Sequence, residues 1–424
     1  MIEADFQIIH AGQLVRISND PDETAPRRGA ALSALHIIED GALAARDGQI
    51  VWTGRTDEIT ASVRLKHHAT SIDAEGAVVT PGLVDPHTHP VFAAPRHLEF
   101  EMRAAGKTYM EIAAAGGGIK TSVAQTRGVD LAHLVEIGER TADRMLQHGT
   151  TTAEAKSGYG LSLEAEIKLL EAIGCVNATH QIDWVPTALA AHDFPAEYAG
   201  RHDDYVALVC EEILPEIARQ KLAVFSDVFF DTGVYNAAQT ERIQTRAREL
   251  GFGLKFHVDE LSDVGGAALA ARMGAVSADH LGFISDDGIR ALANSDTVAV
   301  MLPGTVYFLD LKRRAPARAM IEAGVALALA TDCNPGSNMT ESMPMAMNQA
   351  CVLYKMSPAE ALVAATYNAA CSIRSQHRIG ALTPGRAADL VIWDVSDYRE
   401  IAYHYGVNLV RGVVKSGCLV KPGG

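Results

Sequence analysis

The chain has 424 residues, 48% of them hydrophobic and 21% charged, which suits a large folded protein with more than one packing unit. A formal charge of −15 without Lys/Arg clusters argues against nucleic acid as a partner, although one Arg in a pocket still suffices to hold an anionic small molecule. No apolar run approaches the roughly 20 residues that span a bilayer, Met1 to Gln13 has no leader pattern, and six scattered cysteines lack a CxxC pair, so no membrane contact and a cytoplasmic location are expected.

In chain order, the first 78 residues are β-prone, and Asp47-Gly48 within Gly41 to Gly54 predicts a hairpin turn. Eight β-rich runs then alternate with amphipathic segments: Val78 to His89, Thr150 to Ser157, Ile182 to His192, Ala223 to Asp231, Gly253 to Glu260, Val276 to Gly282, Thr297 to Gly304 and Val325 to Gly336. Between the first two, Leu131, Leu134, Val135, Ala142, Met145 and Leu146 mark a helical face that stops at Gly149. Ser162 is placed to cap a helix running to Gly174, another helix follows Asn236 and ends near Gly251, and a third ends at Gly324. Ala387 to Val395 and Val410 to Val420 return to β-prone sequence. The expected architecture is α/β: a (β/α)8 TIM-type barrel over residues 79–376, inserted into a small composite β-sandwich made by residues 1–78 and 377–424.

Seven of the eight runs end in an ionisable residue: His87 and His89, Lys156, His192, Asp231, His257, His280 and Asp332. In a parallel barrel those ends share one face, where catalytic side chains gather. His87 and His89, spaced i, i+2, project to the same side of a strand and can reach one cation at about 2.0 to 2.1 Å. A lone HxH pair is as often packed histidine as metal ligand, but the coincidence across the strands weighs against packing alone. Lys156 reads equally as a satisfied pocket-wall lysine or a functional one. Gly116-Gly117-Gly118 lacks a phosphate-loop Lys and reads as a loop or lid, not a nucleotide cradle.

Pro81-Gly82-Leu83-Val84-Asp85-Pro86-His87-Thr88-His89, followed by His257, His280 and Asp332, resembles the metal-dependent amidohydrolase superfamily over essentially the whole chain. Arg96 to Arg103, Ala114 to Ile119, Glu154 to Leu161, Ala190 to Pro195, Lys255 to Leu261, Asp332 to Ser342 and Tyr403 to Asn408 are similar to one branch of it. That branch hydrolyses the cyclic amide of 4-imidazolone-5-propanoate to N-formimino-L-glutamate in histidine degradation. The resemblance implies metal ligands His87, His89, His257 and Asp332, and catalytic groups Asp332, His280 and Glu260. It also implies substrate contacts from Arg96, Tyr159, His192, Glu260, Asn334, Gly336 and Ser337. Binuclear relatives bridge two ions with a carboxylated lysine at the end of strand four, where this chain has Phe230-Asp231, so one ion is expected, zinc or iron. Arg96 suits the substrate carboxylate through its planar fork. The competing expectations are a nucleobase aminohydrolase of the same fold, which needs no such clamp, and an inactive interaction module, which would have lost ligands. A homodimer is a reasonable assembly for a barrel of this size.

Overall fold

The computed structural model describes residues 1–107, 111 and 117–420. Its strands sort into two sheets. From the N-terminus come β1 (Ile2–Val15), β2 (Ile37–Arg46), β3 (Gln49–Arg55), β4 (Val63–Asp73) and β5 (Val78–Pro81). The barrel strands are β6 (Leu83–Asp85), β7 (Thr150–Lys156), β8 (Asp183–Ala191), β9 (Phe225–Phe230), β10 (Gly253–Val258), β11 (Ser277–His280), β12 (Val298–Met301) and β13 (Leu327–Leu329). The chain ends in β14 (Leu390–Trp393), β15 (Val410–Lys415) and β16 (Cys418–Val420).

The terminal sheet runs β16-β15-β14-β5-β1-β2-β3, with β4 also paired to β1. Asp47 and Gly48, both at positive φ (51° and 78°), make the tight β2–β3 turn that the Asp-Gly pair predicts. Ile50 on β3, at one end of that order, and Val414 on β15, one strand in from the other, share one apolar cluster with Phe6, Ile8, Leu14, Leu43 and Val79, so the sheet curls over its own core.

The barrel sheet runs β6 through β13 in chain order, every pairing parallel. Thr88 and Cys333 form a parallel bridge between its first and last members. Asp332 N–H donates to His87 O at 3.0 Å, and His89 N–H donates to Cys333 O at 2.8 Å. The expected first run, Val78 to His89, divides at Gly82: β5 pairs in the terminal sheet, and β6 starts the barrel. A Cβ on Gly82 would lie 2.2 Å from Thr151 Oγ1, so only glycine lets the chain pass between the two sheets there.

The connecting helices show why the capping signals were readable. Asp130 accepts from His133 N–H to start Leu131–Gln147, whose buried side is Leu134, Ile137, Ala142, Met145 and Leu146. Gly149, at φ 88°, supplies the left-handed residue that ends it. Ser162 caps its helix as expected, but that helix continues through Gly174 to Thr179. Glycine inside a helix costs about 1 kcal/mol, and here burial of Leu169, Leu170, Ile173 and Val176 on the same helix outweighs it. No helix among the described residues is long and apolar enough to cross a membrane.

Candidate metal centre

At the C-terminal ends of the strands, four imidazoles and a carboxylate converge. The His87 ring lies 4.4 Å from His257 and 5.4 Å from both His89 and His280, centroid to centroid. Asp332 Oδ1 stands 3.6 Å from His87 Nε2 and 3.7 Å from His89 Nε2. His87, His257 and His280 form one compact donor group, and His87, His89 and Asp332 form another. Burial pushes the pKa of His87, His89 and His280 well below the ordinary imidazole value. The rings are therefore neutral, as metal ligands must be.

Two of these rings sit against buried carboxylates. His87 Nδ1 is 2.6 Å from Asp279 Oδ2, and His257 Nδ1 is 3.0 Å from Asp227 Oδ2. With its Nδ1 proton directed to Asp279, the His87 imidazole presents an Nε2 lone pair to the cavity, whereas His257 Nδ1 meets Asp227 as a close charge contact without an aligned hydrogen bond. Asp332 Oδ2 accepts from Thr305 Oγ1 at 2.5 Å. Asp259, His280 and Asp332 all have positive φ (52°, 77° and 56°), a strained conformation that persists only where the surroundings dictate it.

Two carboxyls are shifted upward. Burial raises the Asp332 carboxyl to about 6, although the Thr305 hydrogen bond opposes this. Burial, with the charges of Asp332 and Asp231, raises Glu260 to about 8. Glu260 Oε2 faces His280 Nε2 at 3.5 Å. The loop carrying Glu260 is pinned by Asp231, whose Oδ2 accepts the N–H groups of Glu260 and Leu261, both at 2.8 Å.

Around this centre, the His192 ring stacks on His89 at 5.0 Å and points Nδ1 at Gly158 O, 3.0 Å away. Burial holds its pKa down at about 3. Tyr159 lies buried beside both rings, 5.9 Å from His89 and 5.5 Å from His192. Arg96 donates from Nε and Nη2 to the two oxygens of Glu99, at 2.8 and 2.6 Å. Its Nη1 faces Gly336, where a Cβ would come within 2.2 Å. Asn334 has no free amide group: Nδ2 donates to Asp332 O and Ser337 Oγ, and Oδ1 accepts from Gly336 and Ser337 N–H. In this arrangement Asn334 shapes the loop, and its side chain is not open to the direct substrate contact expected of it. Gly116, in the expected glycine loop, lies outside the described residues; Gly118 N–H donates to Glu99 Oε1 at 2.9 Å.

Lys156 does not line the pocket wall. It is fully buried in the barrel interior, 2.6 Å from Asp227 Oδ2 and 2.9 Å from Glu154 Oε1. Sequence reasoning missed this lower layer, which also contains Lys255 and Asp279, and it missed Thr305. One signal was available: Asp85, Glu154 and Lys255 each stand two residues before His87, Lys156 and His257, and so share their inward face.

Buried imidazoles with a strand-end Asp in a closed parallel barrel define a metal-dependent amidohydrolase, and the chain belongs to the amidohydrolase family, which it matches over residues 78–420. Within that family it stands among the imidazolonepropionases. That of Geobacillus kaustophilus is 48% identical, covering 97% of this chain and 96% of the relative. That of Symbiobacterium thermophilum is 47% identical, covering 99% and 98%. Among solved structures, an adenosine deaminase from Xanthomonas campestris with bound zinc aligns with a TM-score of 0.73 at 22% identity, over 99% of this chain and 93% of that one. A triazine hydrolase variant aligns at 0.74 and 16%, over 98% and 94%. These two likenesses concern the fold alone.

Proposed function

We infer that this chain opens the ring of imidazolone propanoate by adding water across the cyclic amide, giving N-formimino-L-glutamate in the cytoplasmic breakdown of histidine. The observation that carries the reading is His87 Nε2, buried without a hydrogen-bond partner 3.6 Å from Asp332 Oδ1, which also stands 3.7 Å from His89 Nε2, with His257 Nε2 likewise buried and unpartnered. An unsatisfied buried polar atom costs about 1–3 kcal/mol, so their convergence fits a cation. His87, His89, His257 and Asp332 would hold one ion; the imidazole and carboxylate donors suit zinc or iron, and strand four offers no bridging lysine.

When bound, such an ion supplies Lewis acidity that brings the pKa of water from about 15.7 towards 7. Asp332 takes the proton of the attacking water, a role suited to a carboxyl near neutrality. His280 faces the developing oxyanion of the lactam carbonyl and stabilises it by hydrogen bonding. As the tetrahedral carbon collapses, the ring C–N bond breaks and the departing nitrogen receives the proton held on Asp332. Glu260, protonated at pH 7, donates a hydrogen bond to the ring and keeps it aligned. Tyr159 and His192, their rings tilted 56° to each other, line one side of the ring's site, and Arg96 binds the propanoate through the edge that Glu99 leaves open. Asn334, Gly336 and Ser337 set the shape of the loop beside Arg96. In this reading residues 79–376 are the barrel unit that carries all of these groups and residues 1–78 with 377–424 the composite unit, with β5 (Val78–Pro81) crossing that boundary to pair in the terminal sheet.

The test is to incubate the metal-loaded protein with imidazolone-5-propanoate and follow loss of the ring's ultraviolet absorbance. Hydrolysis that stops on chelation and returns with zinc or iron is expected. A metal-loaded, folded protein that leaves the compound intact overturns the assignment.

A further inference from the structure

The interior of a (β/α)8 barrel is ordinarily filled by layers of Val, Ile and Leu. Directly beneath the metal ligands this chain instead buries Glu154, Lys156, Asp227, Lys255 and Asp279, each 0% or 1% exposed. Burying charge is expensive, and well-packed apolar residues in place of a buried ion pair are often as stable or more so. Stability alone therefore does not account for three carboxylates and two ammonium groups here.

Their contacts suggest what does. Asp279 Oδ2 touches His87 Nδ1 at 2.6 Å, and Asp227 Oδ2 lies 3.0 Å from His257 Nδ1. Lys156 Nζ sits between these carboxylates, 2.6 Å from Asp227 Oδ2 and 3.9 Å from Asp279 Oδ2, and also donates to Glu154 Oε1 at 2.9 Å. Lys255 Nζ is 3.3 Å from Glu154 Oε2 and donates at 3.1 Å to Pro86 O, the carbonyl immediately before His87. His87, Glu154 and Asp279 are close enough together to hold an ion themselves, but the two ammonium groups already serve those oxygens.

We propose that Glu154, Lys156, Asp227, Lys255 and Asp279 form a charged floor of positioning residues that aims His87 and His257 at the metal and so governs how tightly and how long it is held. The proposal rests on the ligand set His87, His89, His257 and Asp332. Asp227 and Asp279 fix the rotation of the two rings, Lys156 fixes the spacing of the two carboxylates, and Lys255 fixes the backbone that enters the HxH segment. None of the five needs to touch substrate.

The test uses the full chain. Zinc affinity is measured by competition with a chromophoric chelator, zinc release by excess chelator, and ligand geometry from the visible spectrum of the cobalt-substituted protein. Asp227→Asn and Asp279→Asn are each expected to weaken zinc roughly 10- to 100-fold and to shift the cobalt bands. Lys156→Met is expected to speed zinc release, with circular dichroism matching the parent chain. Parent-like affinity, release and cobalt spectrum in these variants would overturn the proposal. Variants that fail to fold with or without zinc would overturn it equally, assigning the layer to folding. A parent chain that takes up no zinc, or a His257→Ala variant that keeps it, refutes the ligand set itself, which separates that failure from failure of the floor.

Discussion

Thr305 offers the sharpest single test of how Asp332 is held. Its hydroxyl donates at 2.5 Å to Asp332 Oδ2, both residues are buried, and the next donor to that oxygen, Ser337 Oγ, is 3.5 Å away. Thr305→Val keeps the shape and removes the hydrogen. A buried hydrogen bond to a charged group contributes about 1.5–3 kcal/mol, which corresponds to roughly 10- to 150-fold in rate if the bond is needed in the transition state. The loss should fall on kcat, with KM nearly unchanged, because Thr305 touches the carboxylate and not the ring. The same bond favours the ionised form of Asp332, so its loss should raise that carboxyl's pKa and move the acid limb of kcat/KM to higher pH. Thr305→Ser, which keeps the hydroxyl, should recover most of the rate. Steady-state rates from the ultraviolet assay across pH, with zinc content measured in parallel, check this. A Thr305→Val enzyme within twofold of the parent, with an unmoved acid limb, would show that Asp332 needs no such restraint.

Three other outcomes follow from the same geometry. Arg96→Ala should raise KM for imidazolone propanoate at least tenfold, since a bidentate charge-assisted contact is lost, and Gly336→Ala should act in the same direction because its Cβ would displace Nη1; zinc content should be unchanged in both, and unaltered KM would remove Arg96 from the carboxylate site. Glu260, raised to about 8, carries its proton below that pH and loses it above, so kcat/KM should decline through a basic limb near pH 8 that is missing in Glu260→Gln; a persistent limb assigns it to another group. Removing the metal should lower the melting temperature, by mass action on a site present only in the folded chain, and hydrogen exchange should quicken at the His89 and Asp332 amides; exchange that is unchanged there would mean that the metal does not tension the join between β6 and β13.

Much of the site was legible because chemistry and position coincide in a parallel barrel. His87, His257, His280 and Asp332 follow runs of apolar residues, and a run that ends in an ionisable group stands out against a Val- and Ala-rich background. Capping signals at Ser162 and Asn236 were legible for a similar reason, since each satisfies a backbone N–H that the helix cannot. What stayed hidden depends on partners distant in sequence. Thr305 looks like any helix-start threonine until β12 brings it to Asp332. Asp227 and Asp279 each sit amid an ordinary strand, and only closure of the barrel brings Asp227 to His257 Nδ1 and Asp279 to His87 Nδ1. Gly174 misled because local cost was weighed without the buried face that offsets it.

The seam of the barrel and the metal centre are built from the same atoms. β6 and β13 are joined through the Thr88–Cys333 bridge, the Asp332-to-His87 and His89-to-Cys333 backbone hydrogen bonds, and Asp85, whose carboxylate accepts both the N–H and the hydroxyl of Thr331 at 3.0 and 2.5 Å. His87, His89 and Asp332 therefore stand together at the join of the sheet, and an ion shared among them would cross-link the first strand to the last. His257 enters from the opposite side, on β10, and Lys255 two residues earlier returns to Pro86 O at the start of the same seam. A barrel closed by short strands has few ladder bonds at its join: β6 and β13 have three residues each. Side-chain hydrogen bonds from Asp85 to Thr331 supply there what the short backbone ladder does not.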